Sequence, residues 1–364
     1  MIMAGTPRSG GSAHDHDGWW QSVSVPEPVV LVIDGNSLVH RSFHAMAESS
    51  QPDWAVRGLL TQLVAAVDRV RPTAVVVGFD DADRSLRRER WPQYKANRTE
   101  KLPSLVDQLA SAIAVMRELG LAVVVPPGLE ADDVSASAAA RARQAGGRSV
   151  IVTSDRDAFA LIDEHTSVLR IINGGVDASP LITPERLMLL LGVRPDQYRD
   201  FAALRGDPSD NLPGVRGVGP RTAARLLAEF GCAAKAFADV DTVRERLGAG
   251  VATRLAADGA HGAWELNCRV MAMHDDVPLG TDFVSGPGVL PVAADAVDAV
   301  FAAQRLVWTA GRAAHLLAGA PESMPRERPP EPWAERPVLR RRERQRSAPR
   351  AAALVPAVDQ LSLF

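Results

Sequence analysis

Cysteine is scarce in this chain. Only Cys232 and Cys268 occur in 364 residues, far apart and without a CxxC spacing. That excludes a disulfide framework and a cysteine-based zinc site, and leaves two reduced structural thiols as the expectation. Long apolar runs are missing as well, and none approaches the ~20 residues of a membrane-spanning helix. The first residues carry Gly, Ser, His and Asp ahead of any apolar stretch, unlike a secretory leader. A soluble, cytoplasmic protein is expected. A basic excess is absent too. The 41 Lys and Arg are outnumbered by 44 Asp and Glu, for a formal net charge of −3. The overall balance therefore does not mark a binder of polyanions, and the distribution of charge along the chain is more informative.

What the chain does have is carboxylates after apolar runs. Asp34 follows VVLVI, Asp80 follows VVVGF and Asp155 follows SVIVTS. Runs of this kind read as buried parallel strands. Side chains just past the carboxyl ends of such strands converge on one crevice of the sheet. Glu130, Asp132, Asp133, Asp157, Asp207 and Asp210 extend the set. So many acids in one crevice would repel each other unless a cation neutralised them. Oxygen donors alone suit Mg²⁺ or Mn²⁺ rather than zinc. Paired ions roughly 3.5–4 Å apart are the arrangement that phosphodiester hydrolysis uses.

The pattern along the chain predicts an α/β fold with a mostly parallel sheet. Strands are expected at 29–33, 74–79, 121–125, 149–153 and 167–172, with helices around 56–70, 104–119 and 131–145. The regions read as a disordered extension over 1–27, an α/β domain over 28–182, a helical region over 183–285 and a small helical extension over 286–319. A flexible basic tail follows over 320–364. Thr183, Pro184 and Glu185 form a helix start. HDHDG near the beginning reads as a solvated tail rather than a metal site.

Taken alone, several motifs are ambiguous. Asp34 fits a metal ligand or a helix cap equally well, with Arg41 behind it as a candidate phosphate contact. GLEADD places three acids at one helix start, which exceeds what capping needs. The stretch 83–101 interleaves Arg84, Arg87, Arg88, Arg90, Lys95, Arg98 and Lys101 with Trp91 and Tyr94. Cations beside aromatic rings suit a single nucleic-acid strand, although a solvated basic helix gives the same pattern. GVRGVGPRTA offers Gly214, Gly217 and Gly219 for close backbone approach to a phosphate. Arg216, Arg221 and Thr222 lie beside a helix start.

IDGNSLVHRSFHA, the FD of VVVGFDDAD, YKANR, GLEADD, TSDRD and GDPSDNLPGVRGVGPRTA together resemble the 5′ nuclease family. That family includes the N-terminal nuclease domain of bacterial DNA polymerase I and phage flap endonucleases. The likeness runs over residues 28–285. It implies a PIN-like core with a helical arch and a C-terminal helix–hairpin–helix subdomain. The activity it implies is metal-dependent 5′→3′ exonuclease and 5′-flap endonuclease action on branched, gapped or primer-bearing DNA. Rival readings are a catalytically silent DNA-binding protein and an RNase-type activity on RNA–DNA primers.

By the same resemblance the nine acids hold two Mg²⁺ or Mn²⁺: Asp34, Asp80, Glu130 and Asp132 mainly one, Asp155, Asp157, Asp207 and Asp210 the other, with Asp133 shared or outer-shell. Lys95 is the arch lysine at the scissile phosphate, Arg98 its electrostatic partner and Tyr94 a base-stacking residue. Arg87 joins the DNA contacts, and the 214–219 turn grips duplex and holds K⁺. Arg221 stands where many relatives have Lys, and WPQ before Tyr94 replaces smaller residues. No polymerase or proofreading module follows, so a stand-alone, monomeric enzyme is expected. The final QLSLF resembles the pentapeptide that binds the bacterial β sliding clamp. Leu361, Leu363 and Phe364 would fill apolar pockets, and Gln360 would make polar contacts.

Overall fold

The computed structural model describes residues 27–45 and 53–322. The expected N-terminal extension, the tail beyond 322 and the QLSLF end lie outside the described residues. No helix among the described residues is long and apolar enough to cross a membrane.

A six-stranded sheet organises the molecule, in the order β3-β2-β1-β4-β5-β6. The strands are β1 (Val29–Asp34), β2 (Ala74–Gly78), β3 (Ala122–Val124), β4 (Arg148–Thr153), β5 (Thr166–Arg170) and β6 (Leu181–Ile182). Neighbours from β3 to β5 pair in parallel, and β6 runs antiparallel to β5. Five strands match the sequence expectation within two residues at each end. The sixth has only two residues, too few to show any periodicity.

Helices cover both faces, as parallel strands require. On one face lie α1 (Gly35–Ala45), α2 (Trp54–Val70) and α4 (Pro103–Glu118). They pack on Leu31, Ile33, Val75 and Val77 through residues such as Leu38, Leu59, Leu63, Leu109 and Met116. The alternate strand residues Val30, Val32, Val76 and Ile151 point the other way, towards α5 (Ala131–Gln144). Gly78 is necessary there, because a Cβ would sit 2.9 Å from the Val134 side chain. The winding reverses beside β1, with β2 on one flank and β4 on the other. The crevice beyond the ends of β1 and β4 is therefore the switch point where α/β sheets bind ligands.

After the short α6 (Gly175–Ala178) the chain turns helical. It runs through α7 (Pro184–Leu191), α8 (Tyr198–Arg205), the small hairpin β7 (Gly206–Asp207) and β8 (Leu212–Pro213), and α9 (Pro220–Phe230). Next come α10 (Ala233–Ala238), α11 (Val240–Leu247), α12 (Ala249–Leu255) and α13 (Ala260–Val270). Thr183 caps α7 by accepting the Arg186 N–H at 3.3 Å. These helices continue the α5-side core. The boundary expected near 183 marks a change of secondary structure inside one compact unit. Finally α14 (Ala294–Ala303) and α15 (Val307–Ala318) return to the opposite face and bury Val297, Phe301 and Leu317 against the α2 layer.

The basic segment departs from the arch expectation. It is helical only over α3 (Leu86–Arg90), then passes through turns to α4. Pro92 lacks the N–H that a continuing helix needs, and Lys95 takes a positive φ of 55°.

Candidate active site

Asp34 ends β1 and sits over the switch point, 5% exposed. Its Oδ1 accepts the Ser37 N–H at 2.9 Å, which caps α1, and its Oδ2 accepts the Thr153 hydroxyl at 2.6 Å. The cap and site readings of Asp34 therefore describe one geometry. Asp80 lies beyond β2. It accepts the Ala131 N–H at 3.0 Å and the Asn36 amide at 2.5 Å. Asp155 follows β4, and its Oδ1 accepts the Asp157 N–H at 3.0 Å. Glu130 and Asp132 stand at the start of α5. Asp207 and Asp210 come from the β7–β8 turn, where Asp207 accepts the Ser209 N–H at 2.8 Å. Glu130, Asp132, Asp157 and Asp210 line one narrow cleft with Tyr94.

Electrostatics joins these elements. Burial pushes Asp34 up to about 7, against the Thr153 and Ser37 hydrogen bonds and with help from Asp80 and Asp155. Burial lifts Asp157 to about 8, with Asp155, Asp207 and Asp210 adding to the shift. Asp132 is held well above the ordinary carboxylate range by burial and by Asp155 and Asp34. Burial also raises Asp80, with Glu130 contributing, and raises Asp210 despite Lys95 and Arg98. Acids on five separate elements thus feel one another's charge. No three of the described side chains converge closely enough to ligate one ion as they stand. Asp34, Asp80, Glu130, Asp155, Asp207 and Asp210 are instead held by protein donors. The donor set, all carboxylate oxygen, fits hard divalent cations.

Asp133 is set apart from the other acids. It is fully buried, and its oxygens accept two Arg87 N–H bonds, the Glu130 N–H at 3.0 Å and the His274 N–H at 2.8 Å. A carboxylate has about four acceptor positions, and all are used. Burial acts to raise Asp133, but Arg87 outweighs it and holds the carboxyl below its ordinary value. Arg87 is correspondingly enclosed, 8% exposed. Tyr94, expected to stack on a base, is 5% exposed and donates its hydroxyl to Glu130 at 3.0 Å.

The remaining cations sit at the acids. Lys95 Nζ is 2.9 Å from Glu130 Oε2, and Arg98 Nη2 is 2.5 Å from Asp210 Oδ1. Burial would lower Lys95, but Glu130 and Asp210 outweigh it and raise its pKa. The turn carrying both is docked on the β7–β8 loop. The Lys95 N–H donates to the Asp210 carbonyl at 2.9 Å and Asn97 donates to the Pro208 carbonyl at 3.1 Å. Arg41 is away from the cleft's hydrogen bonds and reaches Asn173 at 3.1 Å. In the 214–219 turn Val215 and Val218 are buried while Arg216 and Gly217 face outward, and Gly219 leads into α9 with Arg221 exposed and Thr222 half-buried. Sequence reasoning missed Asn36 and Thr153, which tie Asp80 and Asp34 in place. Both are uncharged, and only their adjacency to strand-end acids signals them.

Two family models match the chain. The 5′-3′ exonuclease N-terminal resolvase-like domain covers residues 29–188, and the 5′-3′ exonuclease C-terminal SAM fold covers 193–286. The chain belongs to the 5′-3′ exonuclease family. Among curated relatives of this family member, DNA polymerase I of Mycobacterium tuberculosis is 39% identical over 237 residues, spanning 64% of this chain and 26% of the relative. Thermostable DNA polymerase I of Thermus thermophilus is 37% identical over 266 residues, spanning 71% and 30%. The chain thus corresponds to less than a third of those proteins. Solved structures give the same fold. A bacteriophage T5 5′-exonuclease with divalent metal ions (zinc) bound matches with TM-score 0.56 at 18% identity, covering 80% of this chain and 99% of that one. The catalytic core of Rad2 in complex with DNA substrate matches with TM-score 0.52 at 16% identity, covering 80% and 92%.

Proposed function

We propose that this chain hydrolyses phosphodiester bonds in DNA as a metal-dependent 5′→3′ exonuclease and 5′-flap endonuclease. The carrying observation is the mutual electrostatic coupling of the acids ending β1, β2 and β4 with those of α5 and the β7–β8 turn. Asp34, Asp80, Glu130, Asp132, Asp155, Asp157, Asp207 and Asp210 would hold two Mg²⁺ or Mn²⁺ ions. Bound there, such ions supply an activated water and neutralise charge on the leaving oxygen.

The chain's own groups divide the remaining work. Lys95 and Arg98 offer fixed positive charge at the acid cleft, suited to a phosphate held against those acids. The outward backbone of 216–217 and the start of α9 would grip duplex phosphates, with K⁺ as a candidate occupant of that turn. Arg216 and Arg221 add positive charge there. RNA–DNA primers join DNA flaps, gaps and ends as candidate substrates. The QLSLF terminus would dock on a β sliding clamp, and the nuclease itself would act as a monomer.

A labelled 5′-flap duplex with Mg²⁺ tests the activity, with Asp155→Ala as control. Metal-dependent cutting that the substitution removes supports it. Binding without cutting would leave a silent DNA-binding protein. Parallel DNA and RNA–DNA flaps rank the two substrates.

A further inference from the structure

Arg87 has four partner residues. Its Nε donates to the Val270 carbonyl at 3.2 Å, and its Nη1 and Nη2 grip Asp133 at 2.8 and 2.7 Å. Nη2 also donates to the Ala272 carbonyl at 2.9 Å, and Nη1 lies 3.5 Å from Glu130 Oε2. The Asp133 side chain is 0% exposed. Three stretches of chain meet at this fork. They are α3 at the root of the basic segment, the first turn of α5 with Glu130 and Asp132, and the exit of α13 from the helical region.

The connections continue from there. Asp133 accepts the Glu130 N–H at 3.0 Å and the His274 N–H at 2.8 Å. Ser137, one turn along α5, donates to the His274 carbonyl at 3.2 Å and accepts the Val277 N–H at 2.9 Å. Glu130 is therefore fixed at both ends. Its backbone is held by Asp133, while its carboxylate meets the Tyr94 hydroxyl, Lys95 and the Arg87 fork.

We infer that Arg87 and Asp133 are a positioning pair. They set the Glu130–Asp132 turn against the acids of the other elements and lock that turn to the end of α13. The inference rests on the metal-dependent nuclease reading and adds a role for two residues that touch neither phosphate nor metal. A planar two-pronged guanidinium–carboxylate contact fixes orientation as well as distance, which a lysine ammonium does not reproduce. Loosening the pair should disturb the acid set first and leave the outward face of the 214–219 turn as it is.

Arg87→Lys in the full chain tests this through four readouts. They are calorimetric titration of the DNA-free protein with Mn²⁺, thermal melting, duplex affinity in Ca²⁺ and steady-state flap cleavage. The expected result is a roughly 10–100-fold loss of Mn²⁺ affinity, the range seen when groups supporting metal ligands are removed. The Mg²⁺ needed for half-maximal cleavage should rise in step, with duplex affinity unchanged. Weakened duplex binding with a shallower salt dependence and unaltered Mn²⁺ affinity would make Arg87 a phosphate contact and overturn the inference. A lower melting temperature with unaltered Mn²⁺ affinity would overturn it too, leaving a stability role alone. Should Arg87→Lys fail to fold, the near-isosteric Asp133→Asn gives the same readouts, and failure of both assigns the pair to stability and rejects positioning. A wild-type protein that neither takes up Mn²⁺ nor cuts a flap would instead remove the nuclease reading itself.

Discussion

Lys95 combines three unusual properties in one side chain. It is a non-glycine residue at φ 55°, its amine lies 2.9 Å from Glu130, and it stands 4.7 Å above the Tyr94 ring. Left-handed backbone is costly for such a residue and persists only where surrounding contacts impose it. Here the Lys95 N–H bond to the Asp210 carbonyl supplies one such contact. Lys95→Ala should therefore slow flap cleavage by roughly 10²-fold or more, the scale of losing one preorganised charge donor. Duplex affinity measured in the same titrations should barely change, and a pure affinity defect would contradict the assignment. At this scale the sequence shows charge but not depth. YKANR and LRRER read as surface because polar and charged residues dominate both. Tyr94 and Arg87 go inside because Glu130 and Asp133, 36 and 46 positions away, take their polar atoms. No local pattern contains that distance.

Secondary-structure elements were legible in proportion to their length. The β1, β2 and β4 runs stand out because each carries at least three consecutive apolar residues, and the α2, α4 and α5 helices last three turns or more. The two-residue β6 and the short α10 to α12 helices leave no periodic trace. Within the long elements, energetics follow packing. Leu63 on α2 is fully buried in the layer beneath β1 and β2. Leu63→Ala should cost about 2–5 kcal/mol, read as a lower denaturant midpoint at constant slope. The β7–β8 hairpin depends on backbone contact instead. Gly206 sits at φ 77°, ψ 170°, and a Cβ there would come 2.2 Å from the Gly214 N. That region is essentially closed to other residues and costs about 1–3 kcal/mol even without the clash. Gly206→Ala should displace Asp207 and Asp210 and abolish cleavage, and hydrogen exchange would show amides 204–215 losing protection.

For the whole molecule, the acid cluster sets a pH response opposite to that of most proteins. Asp34 and Asp157 rise from an ordinary 3.8 to about 7 and about 8 on folding. Groups raised in the folded state contribute stability that is complete below about pH 4 and is lost as pH climbs through 7 to 8. Without divalent ions, the melting temperature should fall between pH 5 and 8. Adding Mg²⁺ should restore it, more at pH 8 than at pH 5, by about 2.7 kcal/mol at a hundred times Kd. A metal-free protein that melts higher at pH 8 would contradict the clustering. Removing residues 360–364 should leave cleavage of free oligonucleotides intact and end co-elution with a sliding clamp, and continued co-elution would reject the tail assignment.

The return of α14 and α15 also bears on geometry. Arg312 bonds Asp68 at 2.7 and 2.8 Å, pinning the last helix to α2. Leu290 and Gly288 knit the preceding strap to the start of β2. The polypeptide thus leaves α15 on one side of the sheet, while the helices from α8 to α13 occupy the other.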